Sequence, residues 1–89
     1  MIELNKSKLP LKYLINFTII EPTIEDLLYE IITIVLDKKE NTINNWELNN
    51  KTKTRINEKI EDDIQLLIDK GYLEKDKYTK YKIINHPWK

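Results

Sequence analysis

There is no cysteine anywhere in the 89-residue chain, so a disulfide staple, a thiolate metal site and a thiol nucleophile are all excluded. The fold must stand on packing alone, which fits a reducing compartment. A single histidine, His86, cannot build a zinc site without several carboxylates around it. Net charge is missing too. Fifteen basic and fifteen acidic residues cancel at pH 7, so the basic excess usual in nucleic-acid binders is absent, and any such function must rest on a local patch. No apolar run approaches the ~20 residues of a membrane span, and the N-terminus lacks the apolar core and small-residue site of a signal peptide. The expectation is a soluble intracellular protein, cytoplasmic or nuclear, with no membrane partner. Alanine is absent while isoleucine, lysine and asparagine abound, a bias of AT-rich coding that dilutes the meaning of any one lysine.

Catalytic constellations are lacking as well. There is no glycine-rich phosphate loop and no nucleophile with a base in reach. The carboxylates Glu61, Asp62 and Asp63 do not converge, because adjacent residues on a helix point about 100° apart. The chain is therefore expected not to be an enzyme and to need no metal, cofactor or small-molecule substrate.

What is present centres on Gly71, the only glycine. Before it, Ile56, Ile60, Ile64, Leu67 and Ile68 recur at helical spacing; after it, an alternating run is broken by a charged turn and resumes. A lone glycine just past a helix is a C-cap, since only glycine enters the left-handed region there without a Cβ penalty. Upstream, Thr23 with Asp26 three residues on reads as a variant capping box. It opens a first helix to about Lys38 or Lys39, whose wide stripe (Ile24, Leu27, Leu28, Ile31, Ile32, Ile34, Val35, Leu36) suits burial on more than one side. Asn41-Thr42 reads as the cap of a short second helix, about 43–49, burying Ile43 and Trp46. A third helix is predicted from Thr52 or Thr54 to Lys70, with Arg55, Glu58, Asp62, Gln65 and Asp69 facing outward. Tyr72-Leu-Glu then forms one strand, Lys75-Asp-Lys77 the turn, and 78–84 the returning strand. Residues 1–22 read as a β-rich strand or arm, 23–84 as the domain and 85–89 as a tail.

The stretch Ile60…Ile64…Leu67-Ile-Asp-Lys-Gly71-Tyr-Leu73-Glu-Lys-Asp…Tyr81-Lys-Ile83 resembles the third helix and wing of winged helix-turn-helix domains. The resemblance implies an α+β fold of three helices followed by a two-stranded wing, with the N-terminal strand or arm added. In DNA-binding members the third helix enters the major groove and the wing touches the backbone. Carried over, those contacts fall on Lys51, Lys53, Thr54, Arg55 and Asn57 at the start of the third helix, and on Lys75, Lys77, Tyr78 and Lys80 in the wing. The segment Leu67-Ile-Asp-Lys-Gly-Tyr72-Leu73-Glu-Lys-Asp is also similar to the closing winged-helix segment of cullins, which bind proteins. Their first helix carries a modifiable lysine; Ile31-Ile-Thr-Ile-Val-Leu36 has none.

Two functions follow. The first is a transcription or replication regulator binding duplex DNA, with Lys53 and Arg55 as main helix contacts. Zero net charge and a short basic patch point to a homodimer, because two weak patches on one duplex give avidity. Against groove insertion stand the acids Glu58, Asp62 and Asp69, since carboxylates repel phosphates and only a cytosine amine rewards an acid there. The second function is therefore a protein-interaction module using Glu58, Asp62, Asp69 or Trp88, tryptophan being enriched in interface hot spots. RNA contact through the wing and arm is a third reading. The bland alternatives are solvated charge in a lysine-rich chain and edge-blunting lysines, with one of Tyr78 and Tyr81 packed on the core.

Overall fold

The computed structural model describes residues 22–88; the expected N-terminal strand or arm lies outside them. Along the chain run α1 (Ile24–Lys38), β1 (Thr42–Asn44), α2 (Asn45–Lys51), α3 (Ile60–Asp69), β2 (Leu73–Lys75) and β3 (Lys80–Ile83). The result is a small α+β domain of three helices and a three-stranded antiparallel sheet in the order β1-β3-β2.

The start of α1 follows the sequence. Thr23 accepts the Asp26 N–H at 3.3 Å, and Asp26 accepts the Thr23 N–H at 2.8 Å, so two of the helix's orphan donors are satisfied reciprocally. Its wide stripe is buried as expected: Ile24, Leu27, Leu28, Ile31, Ile32 and Val35 lie inside, with Ile34 and Leu36 partly buried against the same core. Ile43, Leu48, Ile60, Ile64, Leu67, Leu73, Tyr81 and Ile83 complete that core. Each fully buried side chain of this size contributes roughly 1.5–3 kcal/mol.

Gly71 ends α3 as its position predicts. With φ at +80°, its N–H donates to the Ile68 carbonyl at 2.9 Å while the Tyr72 N–H donates to the Leu67 carbonyl at 3.0 Å. That crossed pair is the Schellman arrangement, and it satisfies carbonyls the helix leaves open.

Three expectations are corrected. The sheet has a third strand where the second helix was expected to begin. Thr42 and Ile43 are β-branched and pair with Lys82 and Tyr81, and the helix is deferred to Asn45 by a capping box. Asn44 accepts the Glu47 N–H at 2.9 Å and Glu47 accepts the Asn44 N–H at 3.2 Å. The deferral turns Trp46 outward, to 64% exposure, where a core position was expected.

The third helix begins at Ile60, six or eight residues later than predicted, and runs only to Asp69. Backbone donors between 53 and 57 are taken by side chains: Glu30 accepts the N–H groups of Lys53 and Thr54 at 2.9 and 2.7 Å, and Asp63 those of Ile56 and Asn57 at 2.9 and 2.8 Å. Donors committed in that way cannot serve a helical ladder. Ile56 consequently leaves the apolar stripe and is exposed.

Candidate nucleic-acid interface

The nine residues proposed for DNA contact separate into two groups. Lys51 closes α2, exposed, with its Nζ 3.8 Å from the Glu47 carboxylate. Lys53, Thr54, Arg55 and Asn57 lie in the irregular segment between α2 and α3 and not, as expected, at the start of a helix. Arg55 is largely consumed by the fold. Its Nη1 donates to the Thr52 carbonyl, the Thr52 hydroxyl and the Thr54 carbonyl at 3.1, 3.0 and 2.9 Å, and its Nη2 to the Asn49 carbonyl at 3.2 Å. The guanidinium closes the end of α2, a cation at a helix C-terminus. The Asn57 side-chain amide donates to Asp63 at 2.9 Å. Of this group, the Lys53 side chain keeps an exposed position without an ion pair among the described residues.

The second group sits on the β2–β3 hairpin. The Asp76 N–H donates to the Lys80 carbonyl at 2.9 Å, and Asp76 Oδ1 accepts the N–H groups of Tyr78 and Lys80 at 2.8 and 2.9 Å. Thr79 takes the left-handed position (φ 62°) that closes such a three-residue loop. Asp76 thus spends its carboxylate on the turn, and Lys77 and Tyr78 project at the tip. The Lys77 ammonium lies 5.2 Å from the Tyr78 ring centroid, and that ring is 68% exposed. Tyr81, by contrast, packs in the core, so one tyrosine of the pair is inside and one outside.

Charge distribution separates the hairpin from α3. From 73 to 83 there are four lysines (75, 77, 80, 82) against Glu74 and Asp76, a net of +2. Glu74 stands opposite Lys82 in the ladder, yet no carboxylate among the described residues comes within 4 Å of any of the four ammonium groups. Helix α3 carries Glu61, Asp62, Asp63 and Asp69 with no base, a net of −4. Asp62 and Asp69 face solvent, Asp69 accepting the Gln65 amide at 2.9 Å, and Glu58 is exposed just before the helix. Phosphate would therefore be drawn to the hairpin and repelled from α3.

Trp88 is half-buried, edge-on to Tyr29 of α1 with ring centroids 6.4 Å apart, and stacked near His86 at 6.2 Å. The ring thus packs against α1.

Sequence reasoning missed Glu30, Glu47, Asp63 and the exposure of Trp46. Only Glu47 carried a local signal, the Asn44-x-x-Glu47 capping box. Among the described residues no group of three or more His, Cys, Asp or Glu could hold a metal ion, and no helix is long and apolar enough to cross a membrane. No family model, curated protein or solved structure matches this chain.

Proposed function

We propose that this chain is a winged-helix domain that binds duplex DNA as a regulator of transcription or replication. The order of elements, with one strand between the first two helices and a closing hairpin that pairs with it, supports the winged-helix reading. The observation that carries the DNA reading is the hairpin: four lysines without an ion pair among the described residues, around an exposed tyrosine, on a turn whose own carboxylate is already committed. Contact is shifted from what the sequence suggested. The hairpin supplies the main phosphate contacts, Lys51 and Lys53 add to them, and Arg55 acts by holding the end of α2. Helix α3 stays out of the groove because of its charge.

Fluorescence anisotropy of a labelled 30-base-pair duplex, titrated at several salt concentrations, tests this. The four hairpin contacts alone give a log–log salt slope of about −3.6 per subunit, steeper where Lys51 and Lys53 join them, and a Lys75→Ala/Lys77→Ala double variant should flatten it by about 1.8. Absence of binding at low salt would sink the reading.

A second reading, a protein-interaction module, is favoured by one observation. Leu66 is exposed on α3 beside Asp62, Gln65 and Asp69, so an apolar residue is rimmed by acids, as a basic partner would require. Asp62→Lys/Asp69→Lys should abolish capture of such a partner while leaving the duplex titration no weaker. Undiminished capture would count against it.

A further inference from the structure

The rung Asn44↔Lys80 ties the start of α2 to the root of the hairpin loop. Trp46 lies two residues beyond Asn44, and Tyr78 two residues before Lys80. These are the two most exposed large hydrophobic side chains among the described residues, at 64% and 68%, and the sheet register brings both to one end of the domain. Neither ring is there to fill the core.

Their surroundings are suited to a polyanion. The exposed face of α2 presents Asn45, Asn49 and Asn50 around Trp46. The Asn49 amide donates to the Asn45 carbonyl and the Asn50 amide to the Trp46 carbonyl, both at 2.8 Å, so these side chains bond to their own helix. The one acid of α2, Glu47, is turned inward onto Lys38. The exposed face of α2 therefore carries no negative charge, and across the rung stand Lys77 and Lys80.

We propose that this end of the sheet is a stacking surface for single-stranded DNA, with bases laid on Trp46 and Tyr78 and the backbone held by Lys77 and Lys80. It rests on the reading that the hairpin lysines meet phosphate, and it names the strandedness of the ligand at that site. Stacking on an aromatic ring is open to every base, because each has a π-face, but needs that face uncovered by neighbouring bases. Duplex DNA offers phosphate to the lysines but no free base face to the rings. A single strand uses both.

The experiment compares a labelled twelve-nucleotide polythymidine with a labelled duplex on the full chain at one salt concentration, with Trp46→Ala, Tyr78→Ala and Trp46→Phe. Each alanine variant should weaken single-strand binding by about 5- to 150-fold and duplex binding by less than about twofold. The phenylalanine variant, which keeps a stacking face, should recover most of the loss. Both rings are exposed, so unchanged circular dichroism is expected and confirms that the variants fold. Duplex binding without single-strand binding would overturn this inference and leave the DNA reading standing, as would alanine variants that bind the single strand undiminished. Binding to neither probe would overturn both.

Discussion

Replacing Asp63 with alanine should destabilise the domain by about 2–4 kcal/mol and release the segment between α2 and α3. Asp63 is fully buried in the first turn of α3, and both of its oxygens are occupied. Oδ2 accepts the Ile56 N–H; Oδ1 accepts the Asn57 N–H and the Asn57 amide. Hydrogen bonds to a charged acceptor contribute about 1.5–3 kcal/mol each, and donors left unpaired add desolvation cost. Part of that is offset here, because Ile56 and Asn57 are near enough to the surface for water to reach. A domain of this length has a total stability of only about 4–13 kcal/mol, so the loss is a large fraction of it. Urea unfolding measures the change, and amide hydrogen exchange should show Ile56 and Asn57 losing protection first. Asp62→Ala, one residue earlier and exposed, should shift stability by less than about 0.5 kcal/mol. Equal effects at 62 and 63 would mean that helix charge, not the buried acceptor, sets the stability.

Glu47→Gln should cost about 2 kcal/mol at pH 7, and progressively less as pH falls below about 4. The Glu47 carboxylate accepts the Lys38 ammonium at 2.7 Å and the Asn44 N–H at 3.2 Å, with Lys51 at 3.8 Å. Burial would push the Glu47 carboxyl up, but the Lys38 and Asn44 hydrogen bonds and the two lysine charges outweigh it, and the group sits below the usual glutamate range. For Lys38 burial would lower the ammonium, yet hydrogen bonds and charge from Glu47 and Glu40 hold it above its ordinary value.

The signs follow from linkage. A carboxylate depressed in the fold adds stability that is present above its unfolded pKa and is lost as pH falls through its folded pKa, from about pH 4 downward. The lysine's contribution is complete below its own unfolded pKa and is lost only as pH rises through the raised folded value. Glutamine keeps an acceptor for the Asn44 N–H but loses the ion pair, and Lys38 retains Glu40 at 3.2 Å and the Thr42 carbonyl at 2.9 Å, which keeps the cost below that of breaking a fully buried pair. A Glu47→Gln deficit that did not shrink at any pH between about 4 and the acid unfolding of the domain would show packing, not charge, to be responsible.

Legibility in the sequence tracks the range of the contacts. The capping box at Thr23 and Asp26 closes over three residues, the stripe of α1 repeats every three or four, and Gly71 and Tyr72 donate to carbonyls three and five residues behind them. The hairpin is equally local: Asp76 builds its turn from donors two and four residues ahead. Its alternation implied that one of Tyr78 and Tyr81 packs on the core; the pairing of β3 with both neighbours shows that it is Tyr81, with Ile83 beside it.

The segment from 52 to 59 was illegible for the opposite reason. Ile56, Ile60 and Ile64 keep helical spacing, so periodicity extended α3 backwards through them. What stops the helix is Glu30, 23 and 24 residues away from the donors it accepts, together with Asp63 and the guanidinium of Arg55. The same holds for β1, where three residues carry no period of their own and become a strand because β3 lies beside them.

The candidate site divides along that line. The amino-acid sequence by itself determined where α1 starts, where α3 ends and that a lysine-rich hairpin closes the domain, because near neighbours supply every partner those features need. Only the tertiary structure decided that Arg55 is spent on α2, that Trp46 faces outward and that the register of β1 on β3 sets it at the same end of the sheet as Tyr78. Those outcomes depend on acceptors and strand partners distant in the chain, and no local pattern encodes which distant group arrives.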